Sequence, residues 1–168
     1  MTNSHQHVEM TCDLVDGCGA IERLIHPRDN DLGGFYVRRL LPNQGVKRIG
    51  PWLFFDHMGP ATFTPGKGVD VRPHPHINIA TVTYLFDGEI LHRDSIGSEQ
   101  LIRPGDLNLM IAGSGIVHSE RQPDHIKQTT HTMHGLQLWL ALPASEEECK
   151  PAFFHYFEND LPKTNING

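Results

Sequence analysis

Short apolar runs separated by turn residues make up most of the chain. Runs rich in Val, Ile, Leu, Thr and aromatic residues alternate with Gly and Pro, which number 16 and 12 among the 168 residues. This pattern is typical of an all-β domain with many tight turns. Seven short strands favour a β-sandwich or a barrel. The predicted strands are residues 35–41, 52–55, 79–86, 89–94, 99–102, 106–111 and 135–142.

Turn and helix signals fit between these strands. The dipeptide Asp87-Gly88 is a hairpin signal, and residues 103–106 combine Pro and Gly in a second turn. Residues 145–149 (Ser-Glu-Glu-Glu-Cys) predict the start of a helix, because the serine is a good cap and acidic residues favour the first turn. This helix has to be short, since Pro151 follows it.

Charge and cysteine content narrow the class of protein. The chain has 14 Lys and Arg against 20 Asp and Glu, a net charge of −6 with His neutral. Such a balance disfavours direct binding to nucleic acid, which needs a basic face. Cys12, Cys18 and Cys149 are too few for a disulfide framework, so we expect a reduced, cytoplasmic protein, or a nuclear one in a eukaryote. We expect no membrane association, because no run has the length of a membrane-spanning helix and the polar start lacks signal-peptide features.

Histidine is the outlier, with 12 residues. His74 and His76 stand at positions i and i+2, so an extended chain points both imidazoles to one face, and Pro75 favours extension. His118 and Glu120 have the same spacing. An isolated pair of this kind is more often a surface or core feature. If the two segments face one another inside a barrel, however, three nitrogens and one carboxylate oxygen converge in a set that suits a first-row transition metal.

The sequence around these residues resembles a known superfamily. The spacing of Gly68, His74, His76 and Gly88 is similar to the first cupin motif, and the glycine-rich turn at 113–118 is similar to the second. Seven segments between residues 33 and 143 further resemble signatures of the pirin family, in the order expected for it. These segments are residues 56–60, 74–76, 81–85, 92–95, 112–115, 118–120 and 135–139.

The resemblance implies a cupin fold, a double-stranded β-helix or jelly-roll β-barrel, as the amino-terminal half of a bicupin. Residues 1–32 would be an amino-terminal segment with a flexible start, and residues 33–143 the metal-binding cupin domain. Residues 144–168 would be a linker and the beginning of a second cupin domain. We expect the aromatic residues of that last stretch to leave an exposed apolar patch, and a homodimer to form through this carboxy-terminal face.

The resemblance also implies the ligands and the metal. The four ligands would be His74, His76, His118 and Glu120, and the metal Fe(II), although Mn, Ni, Co, Cu or Zn could occupy the same ligands. At residues 77–80 this chain has Ile-Asn-Ile-Ala where many pirins have Arg-Gly-Phe-Glu. That departure should alter hydrogen bonding around the metal and the preference for substrate.

Three functions are compatible with this resemblance. The first is an O2-dependent oxidoreductase of the quercetin 2,3-dioxygenase type, acting on a small aromatic chelating substrate such as a flavonol. Glu120 would then also be the catalytic general base. The second is an iron-dependent, redox-sensing module that binds a protein partner without turnover. The third is a stable metal-binding fragment without activity.

Five further residues have side chains that could bind a metal or react, but they are not expected to do so. His57 and His92 are expected to be neighbours of the pocket rather than ligands. His131 and His134 are expected to be an exposed pair on the way into a strand. Cys149 is expected to be inert, because no activating base is evident near it in the sequence.

Overall fold

The computed structural model describes residues 23–32 and 35–164. The predictions that concern Cys12, Cys18 and most of the amino-terminal segment therefore lie outside the described residues. Within them the chain forms eleven strands, one short α-helix and one 3-10 helix. The elements are β1 (Arg28–Asp31), β2 (Tyr36–Leu41), β3 (Trp52–Phe63), β4 (Asp70–His76), β5 (Ile79–Asp87), β6 (Ile90–Asp94), β7 (Glu99–Ile102), β8 (Leu107–Ile111), β9 (Ile116–Arg121), α1 (Asp124–Lys127), β10 (His131–Ala141), β11 (Ala152–Tyr156) and the 3-10 helix Glu158–Asp160.

Two antiparallel sheets hold these strands, which confirms the all-β prediction. The larger sheet has the order β1-β2-β3-β10-β5-β8-β11, and the smaller has the order β4-β9-β6-β7. Their facing sides bury one large apolar cluster, in which Leu85, Ile102 and Met133 have no exposed surface. A smaller cluster around Met110 and Ile116 lies apart from it. Polar side chains are buried as well, among them His76, Thr83 and His118.

All seven predicted strands are present, but some are longer than predicted. Strand β3 continues to Phe63 rather than ending at residue 55, although Gly59 and Pro60 interrupt its sequence. Its pairing with β10 shifts register between Met133 and Gly135, so the Gly-Pro step is accommodated as a β-bulge. Gly59 adopts a positive φ of 71° there. Residue propensity alone predicts a strand that ends before Gly59 and Pro60, whereas pairing with β10 extends β3 to Phe63.

The helix predicted at residues 145–149 is wrong. These residues form consecutive turns, in which the Cys149 N–H donates to the Glu146 carbonyl. The Cys149 carbonyl in turn accepts from the Ser114 N–H at 2.9 Å, which ties this segment to the glycine-rich turn before β9. That tie and the immediate start of β11 leave no room for helical turns. The described part of the chain contains no helix that is long and apolar enough to cross a membrane.

The carboxy-terminal strand completes the larger sheet. Strand β11 pairs with β8 along its whole length, so it is part of the same sheet as the strands of residues 33–143. Phe154 and Tyr156 face outward and are 43% and 38% exposed, and Phe157 after them is 59% exposed. An exposed aromatic patch is therefore present at this end. The domain division at residue 143 and self-association through this face stay predictions.

The Asp87-Gly88 turn gives a test of how the fold depends on backbone conformation. We expect Gly88→Ala to lower the free energy of unfolding more than Gly97→Ala. Both glycines have a positive φ, 86° and 96°, which costs an L-residue about 1–2 kcal/mol. Only Gly88 is crowded, because an added Cβ would lie 2.6 Å from the Thr132 carbonyl oxygen, while nothing lies within 4 Å at Gly97. Overpacking should add about 1–3 kcal/mol.

Urea denaturation of the two variants measures this difference. Equal losses of stability in Gly88→Ala and Gly97→Ala would contradict the close packing of the β5–β6 turn against β10.

Candidate metal centre

Three of the four predicted ligands come together through strand pairing. Strands β4 and β9 are antiparallel neighbours, and His74 lies directly opposite His118. His76 follows two residues later, so its ring points to the same face. The ring nitrogens of His74, His76 and His118 that could bind a metal all lie within 4.8 Å of one another. The sequence-based prediction of a three-histidine cluster is therefore realised in the fold.

The spacing of the nitrogens fits a transition metal. The Nε2 atoms of His74 and His118 are 3.1 Å apart. Two ligands bound at right angles to one ion, at metal–nitrogen bonds of ~2.1 Å, are roughly 3.0 Å apart. His74 Nδ1 lies 2.9 Å from the Arg72 carbonyl oxygen, which can only accept. The proton of a neutral His74 is therefore on Nδ1, and its Nε2 has a free lone pair.

Burial keeps two of the histidines neutral. Desolvation lowers the pKa of His76 from 6.5 to about 4, and the charge of His74 adds to the effect. Desolvation likewise lowers the pKa of His118 to about 2, with contributions from His74, His92 and His76. Neutral imidazole is the form that binds metals. At neutral pH His76 and His118 therefore present lone pairs rather than positive charge, so the residues fit a divalent metal.

Glu120 lies on the same strand and face but has a different partner. Its Oε1 accepts a hydrogen bond from the Thr83 hydroxyl at 3.0 Å, and the Thr83 Oγ1 also lies 2.9 Å from Gln137 Oε1. Burial raises the pKa of Glu120, although the Thr83 bond and the nearby His92 and His74 act in the opposite direction. Among the described residues, the cluster within 4.8 Å consists of the three histidines without Glu120. Ligation by Glu120 stays a prediction.

Aromatic side chains form one wall of the site. The Trp139 ring meets His76 edge-on at 5.0 Å between centroids, and Phe54 stacks on Trp139 at 4.2 Å. The Arg39 guanidinium lies over Phe54 and forms a bidentate salt bridge with Asp56, both hydrogen bonds being 2.7 Å long. The contact between Trp139 of β10 and His76 of β4 joins the two sheets, so the sequence of either strand alone does not predict it.

His92 is the predicted neighbour that lies against the cluster. It is 3% exposed, and its Nδ1 is 3.4 Å from His118 Nδ1. Its Nε2 is 3.0 Å from Asp94 Oδ2. Burial would raise the pKa of Asp94, but hydrogen bonds from His92 and Ser98 outweigh it and lower that pKa below its usual value. The i and i+2 positions of His92 and Asp94 on β6 are the sequence signal for this contact.

His57 lies elsewhere. Its Nε2 is 2.8 Å from His134 Nε2, on the face of β3 opposite to the buried Asp56 and Met58. The expectation that His131 and His134 form an exposed pair is wrong. His134 is partly buried against His57 and Phe86, because β10 is a central strand with neighbours on both sides.

An open cavity reaches the ligand strand from outside. It has a volume of about 230 Å³ and touches both His118 and Asp94. Its rim includes Pro73, Arg93 and Val117. The cluster is therefore close to a surface opening on the side of the smaller sheet.

Comparisons with known proteins agree with this fold. The Pirin family model matches residues 34–140. A pirin-like protein from Caulobacter vibrioides is 51% identical over 156 residues, covering 87% of this chain and 54% of the relative. The chain thus spans about half the length of such relatives.

Solved structures share the fold of this chain. The crystal structure of a quercetin 2,3-dioxygenase from Acinetobacter baumannii matches with a TM-score of 0.78 and 45% identity, over 85% of this chain and 46% of that one. A bacterial pirin from Escherichia coli in complex with nickel(II) matches with a TM-score of 0.63 and 20% identity, over 77% and 54%. The predicted cupin fold is thereby confirmed.

Metal binding should stabilise the fold through the three histidines. We expect added Ni²⁺ to raise the melting temperature of metal-free protein, because a ligand at 100-fold excess over its Kd adds about 2.7 kcal/mol. His118→Gln should abolish this rise. His125→Gln should preserve it, since His125 is an exposed residue of α1 that pairs with Glu89. Differential scanning fluorimetry measures the effect, and an equal rise in His118→Gln would refute the assignment.

The stability of the metal-free protein should fall as the pH falls from about 6.5 toward 4. Histidines of the unfolded chain take up protons near pH 6.5, whereas folded His76 does so only near pH 4. The unfolded state then binds more protons in this window, and acid favours it. Urea unfolding at several pH values measures the slope. His76→Asn should reduce the slope without abolishing it, because the lowered pKa of His118 contributes in the same window. His125→Gln should not reduce it. A wild-type profile that is flat across the window would contradict the buried neutral state.

Proposed function

Because this chain belongs to the pirin family, we propose that it is a cytoplasmic mononuclear Fe(II) protein that cleaves flavonols with O2. The observation that carries the proposal is the cluster of His74, His76 and His118 within 4.8 Å, with two of its pKa values lowered. The A. baumannii quercetin 2,3-dioxygenase, which is 45% identical, supports the choice of substrate class.

The residues divide the chemistry between them. His74, His76 and His118 would hold the metal, with Glu120 as a fourth ligand. When bound, Fe(II) supplies a Lewis acid that lowers the pKa of a substrate hydroxyl and transfers electron density toward O2. In the overall reaction both oxygen atoms of O2 enter the products, the central ring opens and one carbon leaves as carbon monoxide. No external reductant is needed.

In this proposal Glu120 would accept the substrate proton. Its raised pKa makes it a stronger base than an ordinary carboxylate. The Thr83 hydroxyl bond directs one of its oxygens and leaves the other with no hydrogen bond to a described residue. The Trp139 ring beside His76 covers that side of the site, which restricts water and provides a flat apolar surface for an aromatic substrate.

The segment after His76 supports a substrate preference different from that of other pirins. Ile77 is 61% exposed, and the Asn78 side chain donates to the Glu147 carbonyl at 3.1 Å rather than facing the cluster. The acidic and basic groups that many pirins have at residues 77–80 are replaced by Ile, Asn, Ile and Ala, which carry no charge. An uncharged segment next to His76 favours an uncharged aromatic ligand.

Oxygen consumption tests the proposed activity. We expect Fe(II)-loaded protein to consume O2 when quercetin is added and to release carbon monoxide. Glu120→Gln should retain metal binding and lose about 10²–10⁴-fold in rate, the usual contribution of a general base. His118→Ala is the inactive reference, and His125→Gln should match the wild type.

Turnover no higher than that of His118→Ala would refute the enzymatic function. If such protein still binds iron, the result favours the second function, a redox-sensing module. That function predicts capture of a partner protein that depends on whether the iron is Fe(II) or Fe(III).

A further inference from the structure

Three buried side chains form a line that ends at the metal cluster. Asp94 Oδ2 is 3.0 Å from His92 Nε2, and His92 Nδ1 is 3.4 Å from His118 Nδ1. The side chains of His92 and Asp94 are 4% and 0% exposed. The line exists because β6 pairs with β9, which puts Asp94 opposite His118. Nothing in the roles assigned above uses Asp94 or His92.

The direction of each hydrogen bond in this line follows from Asp94 and from metal binding by His118. An ionised carboxylate can only accept, so His92 Nε2 carries a proton and donates it. Of two imidazole nitrogens that share a hydrogen bond, as His92 Nδ1 and His118 Nδ1 do at 3.4 Å, one donates and the other accepts. A His118 that binds a metal through Nε2 carries its proton on Nδ1, so His118 Nδ1 is the donor and His92 Nδ1 is the acceptor. This leaves His118 Nε2 unprotonated and turned toward His74.

The carboxylate itself is fixed in orientation. Its Oδ1 accepts from the Ile96 N–H at 3.1 Å and from the Ser98 N–H at 2.9 Å, both in the turn after β6. Only Oδ2 is left to face His92. The His92 ring cannot swing away, because it stacks on Phe153 of β11 with centroids 4.3 Å apart and 18° between the planes. The orientation of the Asp94 carboxylate and the position of the His92 ring are therefore both fixed.

We propose that Asp94 and His92 are positioning residues that fix the tautomer and ring orientation of His118 for metal binding. The proposal rests on the proposed metal centre. The Arg72 carbonyl oxygen fixes the proton of His74 on Nδ1 in the same way. The Nε2 atoms of His74 and His118, which are 3.1 Å apart, are therefore both unprotonated. Two lone pairs at that distance repel each other, and a cation between them removes the repulsion. Partners of this kind typically change metal affinity 10–100-fold.

Asp94→Asn provides a sharp test, because the fold decides which way the amide points. The Ile96 and Ser98 N–H groups keep the oxygen on their side, so the new NH2 group faces His92 Nε2. His92 must then accept there and carry its proton on Nδ1, which faces His118. The proton of His118 is forced to Nε2, the metal-binding atom. The substitution leaves the side-chain volume almost unchanged and reverses the direction of both hydrogen bonds, the one between residue 94 and His92 and the one between His92 and His118.

Two measurements detect this reversal of hydrogen-bond direction. Long-range ¹H–¹⁵N correlation spectra of metal-free protein should show His118 protonated at Nδ1 in the wild type and at Nε2 in Asp94→Asn. Chelator competition should show a 10–100-fold loss of Ni²⁺ affinity in the variant. The matched control is Glu99→Gln, an exposed carboxylate on neighbouring β7 that pairs with Arg93. It should change neither result.

A pair of His92 variants separates positioning from simple packing. His92→Phe keeps a flat ring against Phe153 but has no acceptor for His118, and it should lose affinity like Asp94→Asn. His92→Gln carries an amide oxygen that can accept from His118 Nδ1, and it should restore part of the affinity. If Asp94→Asn does not fold, the two His92 variants still test whether His92 positions His118 for metal binding.

Either of two results would overturn the proposal. One is a wild-type His118 protonated at Nε2 in metal-free protein. The other is a Ni²⁺ affinity in the folded Asp94 and His92→Phe variants within twofold of Glu99→Gln. If the wild type binds no metal, the tautomer spectra alone decide. Failure of the proposed activity would instead show as absent O2 consumption with intact Ni²⁺ binding.

Discussion

The pairing of β4 with β9 is the constraint on which the site depends. It sets His74 opposite His118, and the close approach of their Nε2 atoms follows from that alignment. Side chains alternate between faces, so a slip of one residue would turn His118 and Glu120 away from the interior together. The register shift between Val71 and His74 accommodates one extra residue of β4 relative to β9. The histidines are thus held by a backbone ladder, which is more rigid than a loop.

Burial of polar groups between the two sheets is the second constraint. Asp56, Thr83 and Asn108 are almost fully buried on the inner face of the larger sheet, and each has a partner. Asp56 binds Arg39, and Asn108 Oδ1 lies 2.7 Å from His155 Nδ1. A buried polar group without a partner costs about 1–3 kcal/mol, so these pairings are a condition of placing a polar site inside the barrel. The apolar clusters on either side supply the stability.

The parts of the site that sequence could predict are those set by local spacing. The i and i+2 positions of His74 and His76, and of His118 and Glu120, fix which residues share a face before any fold is known. The line from Asp94 through His92 could not be predicted, because it requires β6 to lie beside β9. The Thr83 bond to Glu120 joins strands of different sheets. The false helix at residues 145–149 has the same origin, since its local caps were outweighed by a tie to a distant turn.

The geometry of the cluster links folding to metal binding. Strand pairing brings neutral imidazoles together in a place where burial opposes their protonation. The chain therefore cannot relieve the crowding of nitrogens by taking up protons, except in acid. It can relieve it by separating β4 from β9, which would break the ladder, or by placing a cation among the nitrogens. Metal binding and strand pairing must then strengthen one another, because each is favoured by the state that the other produces.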